Sequence, residues 1–171
     1  KKQLHLVCTA HERAQTPLPD LQFLFAPLKV GRLDYVVEKA VEMGAGVIQP
    51  VITQHTQNHR VSAAKLQINA LEAAEQCGIL SVPKVREPVK FEALLAGWDP
   101  DRRLIFCDED QGAHNPVIAL SGLTEAKLAV LIGPEGGFSD DERKILCSKP
   151  LAPAIPLGPR ILRPDTAAVA A

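Results

Sequence analysis

Two loops rich in glycine and proline carry the residues of this 171-residue chain best suited to chemistry: Gly133-Pro-Glu-Gly-Gly137 and Leu157-Gly-Pro-Arg-Ile-Leu-Arg163. Glycine lets the backbone approach a ligand closely, because it has no side chain and tolerates positive φ, while proline fixes the shape of the loop. The first loop has neither the Gly-Lys-Ser/Thr ending of a P-loop nor the Gly-x-Gly-x-x-Gly fingerprint. Glu135 stands where a lysine would meet a triphosphate, so a ligand bearing hydroxyls, an amine or a sulfonium suits the loop better. The plainer alternative is a tight turn between two elements. In the second loop Arg160 and Arg163 come just before a helix that opens at Asp165. Two guanidiniums beside a helix N-terminus make a site for a phosphate or a developing anion. Pairing with acidic partners on the surface is the alternative.

Other constellations are weaker. Ala73-Ala-Glu-Gln-Cys-Gly78 closes a helix, and Glu75 and Gln76 there are open to three readings: solvated, capping the helix end, or reaching a substrate. His55 and His59 have i, i+4 spacing, but the stretch lacks the glutamate of the zinc-protease motif, so no metal is expected. Trp98 and Tyr35 are single and offer little for base stacking.

To act together the two loops need a common scaffold, and strands alternate with helices from Leu21 onward. Strands are predicted at Leu21 to Phe25, Val47 to Thr53, near Lys84 to Arg86, at Arg103 to Cys107, Leu128 to Ile132, and Ala154 to Leu157. Pro50 places the second of these near an edge or a bulge. A helix from about Gly31 sets Leu33, Val36, Val37, Ala40 and Val41 on one face, and Gly44 and Gly46 end it. Further helices are predicted over Ala63 to Cys77, Phe91 to Ala96, Pro116 to Leu120 and Asp140 to Lys149, and from Asp165, where Asp165 and Thr166 supply capping chemistry. Ser139 and Glu142 form a capping box for the helix at Asp140. The alternation implies an α/β fold, a mainly parallel sheet with helices on both faces, whose ligands sit beyond the carboxyl ends of the strands. Residues 3 to 9 read as a strand left from something upstream, and Ala10 to Asp20 as a linker.

Composition narrows the class. The apolar fraction of 46% is that of an ordinary globular protein, and no apolar run approaches the roughly 18 residues of a membrane span. With no leader pattern at its start, the chain is expected to be cytoplasmic. The four cysteines Cys8, Cys77, Cys107 and Cys147 are scattered, so they are expected to be reduced and mostly buried. A net charge of −1 gives no global reason to expect nucleic acid, so any such contact is expected to come from a local basic patch or from a part of the protein beyond this chain.

Four motifs in order, Lys29-Val-Gly-Arg-Leu-Asp-Tyr-Val-Val-Glu-Lys-Ala-Val-Glu-Met-Gly44, Glu72-Ala-Ala-Glu-Gln-Cys-Gly78, Leu131-Ile-Gly-Pro-Glu-Gly-Gly-Phe-Ser139 and Leu157-Gly-Pro-Arg-Ile-Leu-Arg163, resemble those of the RsmE family. These are the 16S ribosomal RNA uridine N3-methyltransferases of the SPOUT superfamily. The match runs from about Leu21 to the end. The resemblance implies an N-terminal PUA-like β-barrel that helps hold RNA, followed by a SPOUT domain tied in a C-terminal trefoil knot. It also implies a homodimer with S-adenosylmethionine as cofactor and 16S rRNA of the small ribosomal subunit as partner, with no membrane. Residues 1–20 would then be a barrel remnant and linker, and 21–171 the SPOUT methyltransferase domain. By position, Leu131, Gly133, Pro134, Glu135, Gly136 and Gly137 match the first cofactor loop, and Leu157, Gly158, Pro159, Ile161 and Leu162 the second. Arg160, Arg163 and Asp165 match the catalytic loop facing the target base and the partner subunit. Pro164 departs from the small or β-branched residue more usual there. A non-catalytic ribosome-binding or assembly module with the same fold is the alternative.

Overall fold

Strand β1 (Leu21–Phe25) sets the plan of the molecule, because its side chains alternate between two buried layers. The computed structural model describes residues 3–29, 31–108, 115–148 and 153–171. In it β1 lies between β2 (Val47–Ile52) and β6 (Leu128–Ile132). The sheet continues through β3 (Lys84–Val85) on one side and through β5 (Arg103–Cys107) and β7 (Ala154–Ile155) on the other. A short β4 (Val89–Lys90) also pairs with β2. Every described pairing is parallel, as crossover connections require.

Phe23, Phe25 and Ile132 face a layer made by α1 (Arg32–Glu42), α2 (Ala63–Gln76) and α6 (Pro164–Ala170). Leu24, Leu104, Phe106 and Leu131 face the opposite layer, where α3 (Phe91–Ala96) and α5 (Asp140–Ser148) bring Phe91, Leu95 and Leu146. Burying a side chain such as Leu131 or Phe106 is worth about 1.5–3 kcal/mol, so the period-two alternation of the central strands holds both layers at once. In α1 the predicted face of Leu33, Val36, Val37, Ala40 and Val41 is the buried one. In α4 (Pro116–Ser121) no residue is buried. No described helix is long and apolar enough to cross a membrane.

Several expectations need correction. Residues 3 to 9 form no strand: Leu4, Leu6 and Val7 are each more than four-fifths exposed and no described strand lies beside them, and an extended segment without a ladder partner is not a strand. The linker is anchored further on, where Arg13 Nη2 donates to Gly78 O, Gln15 Nε2 to Leu80 O and Ser81 Oγ to Thr16 O. Pro50 lies within β2, which is not an edge strand. It coincides instead with a break in the neighbouring ladder, since β3 pairs up to Ile48 and β4 from Val51. There Gln49 Nε2 fills the gap by donating to Pro50 O and Glu87 O. Cys8, Cys77 and Cys147 are exposed and only Cys107 is partly buried, so the expectation of mostly buried thiols fails; all four are free. The three exposed positions fall on the unpaired segment before the linker, a helix end and an outer helix face, none of which meets a core layer. Lys149, the predicted end of α5, lies outside the described residues.

Candidate functional site

The carboxyl ends of β5, β6 and β7 deliver three chain segments to one end of the sheet. After β6, the chain turns at Gly133 and Pro134, where Gly137 N donates to Pro134 O at 3.0 Å with Gly137 at φ 66°. The turn then runs into Phe138, whose ring meets Phe106 edge-on at 6.1 Å and Phe91 at 6.5 Å. A Cβ on Gly133 would lie 3.1 Å from the Phe138 ring, so the glycine is what allows the loop to close over that ring. The capping box forms as expected: Ser139 N donates to Glu142 Oε2 at 2.9 Å and Glu142 N to Ser139 Oγ at 3.3 Å. Glu142 Oε1 also accepts from Gln54 N at 2.8 Å, which ties the start of α5 to the end of β2.

After β7, the segment from Leu157 to Leu162 crosses the ends of the strands and turns down into α6. Gly158 adopts φ 117°, a conformation open to glycine, with free space where a Cβ would be. Between this segment and the Gly133 turn lies a cleft of about 730 Å³, counting the space open to solvent. Gly133, Pro134 and Gly137 line it from one side, and Leu157, Gly158, Pro159, Arg160, Ile161 and Leu162 from the other. Nine of the predicted loop residues are thus brought together.

Five are placed differently. Leu131 is wholly buried in the sheet beneath the cleft, while Glu135 and Gly136 are on the exposed outside of the turn. Arg163 and Asp165 are not in the lining. They pair with each other at 3.5 Å, and Arg32 Nε from the start of α1 lies 3.8 Å from the same Asp165 Oδ2. Neither Asp165 nor Thr166 is the cap of α6. Arg163 takes that position, with Pro164 first in the helix, where a missing N–H costs nothing. Glu75 and Gln76 are exposed at the end of α2, which runs back to the amino ends of the strands and so away from the cleft. Among the described residues there is no cluster of three or more metal-ligating side chains.

Other lining residues did not stand out in the sequence. Asp108, immediately after β5, and Arg143 on α5 form an ion pair of 2.8 Å in the wall, with the Asp108 side chain 1% exposed. Beside them burial pushes the Cys107 thiol from its ordinary 9.0 up to about 12, so it is a neutral wall group and not a nucleophile. The carboxyl-end rule for parallel strands is the signal that could have pointed to this end of β5, though the sequence reading did not apply it there. His55, weighed above only as a metal ligand, sits with Nδ1 3.1 Å from Gly136 O and 3.2 Å from Gly137 O, against the back of the first loop.

Residues 14–171 match the model of an RNA methyltransferase domain. The chain is 29% identical over 152 residues to a ribosomal RNA small subunit methyltransferase E of Rickettsia conorii, covering 88% of this chain and 62% of that protein. It is 26% identical over 162 residues to the protein of the same name from Bacillus subtilis, covering 88% and 63%. It therefore spans less than two thirds of the length of these relatives. Among solved structures it is similar to the ribosomal RNA small subunit methyltransferase E of Neisseria gonorrhoeae bound to S-adenosyl methionine, with TM-score 0.76 and 26% identity over 92% of this chain and 65% of that one.

Proposed function

Because the chain belongs to the RNA methyltransferase domain family over residues 14–171, we propose that it binds S-adenosylmethionine in the cleft between the Gly133 and Leu157 loops and methylates N3 of a uridine in 16S ribosomal RNA. The observation that carries this reading is the convergence of those two loops, far apart in sequence, on one cleft at the carboxyl ends of β6 and β7.

The lining suits such a cofactor. Phe138, Ile161 and Leu162 offer apolar surface to an adenine ring, and the glycine-rich backbone offers amides and carbonyls at close range. Asp108 and Arg143 bring both signs of charge to the wall, matching a ligand with a zwitterionic amino-acid end and a sulfonium. S-adenosylmethionine supplies an electrophilic methyl group already activated by its sulfonium. The protein's task is then to exclude water, align the base and stabilise the charge on the uracil oxygens when N3 is deprotonated. Arg160, at the exposed rim of the cleft, and Arg163 are the groups for that charge or for an adjoining phosphate. Asp165 serves to orient the guanidiniums of Arg163 and Arg32, its two neighbours.

The test is methylation of small subunits from cells lacking the gene, with the modified nucleotide mapped afterwards. Arg163→Ala and Arg160→Ala are each expected to lower the rate at saturating cofactor by about a hundredfold, the scale of losing one charge-stabilising donor. Near-normal rates for both would remove the arginines from the mechanism. A non-catalytic binding module would give no methylated product from the unaltered protein.

The same reading takes residues 1–20 as the remnant and linker of a PUA-like barrel and 21–171 as the methyltransferase domain, acting as a homodimer. It also takes the return of the chain from β7 across β5 and β6 to α6 as the part tied in a trefoil knot. Support for the last point is topological: α6 packs on α1, on the far side of β6 from β7.

A further inference from the structure

His55 stands behind the cleft, in the turn that follows β2. A carbonyl oxygen only accepts, so its contacts of 3.1 and 3.2 Å to Gly136 O and Gly137 O both require a proton on Nδ1. The carbonyls of two successive peptides that converge on one point repel each other. A single N–H between them turns that repulsion into a shared hydrogen bond.

The turn that carries the imidazole is itself well held. Thr53 and Thr56 are 3% and 4% exposed. Thr53 N donates to Thr56 Oγ1 at 2.9 Å, and Thr56 N to Thr53 O at 3.2 Å. Between them, Gln54 N donates to Glu142 Oε1 at 2.8 Å. Residues 54 and 55 therefore grip the segment on both sides of Phe138, at Gly136 and Gly137 and again at Glu142. Gly137 and Phe138 line the cleft, whereas His55 does not, so the imidazole acts on the wall through the peptides it holds from outside.

We propose that His55 is a positioning residue for S-adenosylmethionine: its Nδ1–H holds the Gly133 to Gly137 loop in the shape that receives the ligand, so that binding does not have to order it. This deepens the cofactor reading above and rests on it.

Calorimetric titration of the protein with S-adenosylmethionine tests it, using His55→Ala, His55→Asn and His55→Gln with a thermal melt of each. Asparagine sets its amide nitrogen where Nδ1 sits, whereas glutamine reaches as Nε2 would. His55→Ala is expected to weaken Kd about tenfold, equivalent to about 1.4 kcal/mol, His55→Asn to come back within about threefold of the unaltered protein, and His55→Gln to stay near the alanine variant. In methylation assays the alanine variant should raise KM for the cofactor and leave kcat within about twofold. The proposal is overturned if His55→Ala binds within about twofold of the unaltered protein, if asparagine binds no better than glutamine, or if affinity tracks melting temperature and not donor position. Absence of saturable binding by the unaltered protein would instead overturn the cofactor reading, and this inference with it.

Discussion

Glu142 shows how much one side chain joins. Its two oxygens accept from Ser139 N and Gln54 N, at 2.9 and 2.8 Å, in a site where the residue is 5% exposed. Glu142→Gln keeps the shape but replaces one acceptor with an NH2 facing an N–H, which leaves a buried amide without its partner. Unfolding in urea should register a loss of about 1–3 kcal/mol, and a loss below about 0.5 kcal/mol would mean that the two bonds are not both made. The capping-box half of this arrangement was legible in the spacing of Ser139 and Glu142, because it is local. The Gln54 half was not, since its partner is 88 residues away. The same holds for His55, whose spacing to His59 raised only a metal site that the missing glutamate argued against, and whose neighbours in space are two carbonyls.

At the scale of elements, the positions of helices and strands followed from hydrophobic period and from glycine and proline punctuation. Where the reading failed, the cause was a missing or unforeseen partner. Residues 3 to 9 have the composition of a strand but no described strand to pair with, and Pro50 sits in an inner strand because the neighbouring ladder breaks opposite it. The anchoring of the linker supplies a prediction of its own. A Cβ on Gly46 would collide with the carbonyl of Pro19. Gly46→Ala must therefore push the linker off the start of β2, at a cost of about 1–3 kcal/mol. Limited trypsin digestion should cut faster at Arg13, whose guanidinium is otherwise held on Gly78 O. An unchanged cleavage rate would show that linker and sheet are not coupled.

For the molecule as a whole, the cleft is bounded by the segment after β6 and the segment between β7 and α6, so a ligand there bridges parts of the chain that unfolding would separate. Binding to the folded state alone stabilises by about 2.7 kcal/mol at a ligand concentration of 100 times Kd. At roughly 2–4 °C per kcal/mol for a domain of this size, saturating S-adenosylmethionine should raise Tm by about 5–10 °C. Scanning calorimetry with and without the cofactor measures this, and an unmoved Tm under saturation would place the ligand elsewhere or nowhere.

The sequence alone determined the α/β class, the two-layer burial of the central strands, the apolar face of α1 and the two loops that meet at the cleft, because these rest on short-range period, on turn chemistry and on motifs contiguous in the chain. Only the tertiary structure decided that β5 adds Asp108 to the same wall, that Arg32 and Arg163 share Asp165, and that His55 holds the first loop from behind. Apart from the Arg163–Asp165 pair, each of those contacts joins residues distant in sequence, and the sheet order that brings them together is a property of the packed layers, which no local pattern carries.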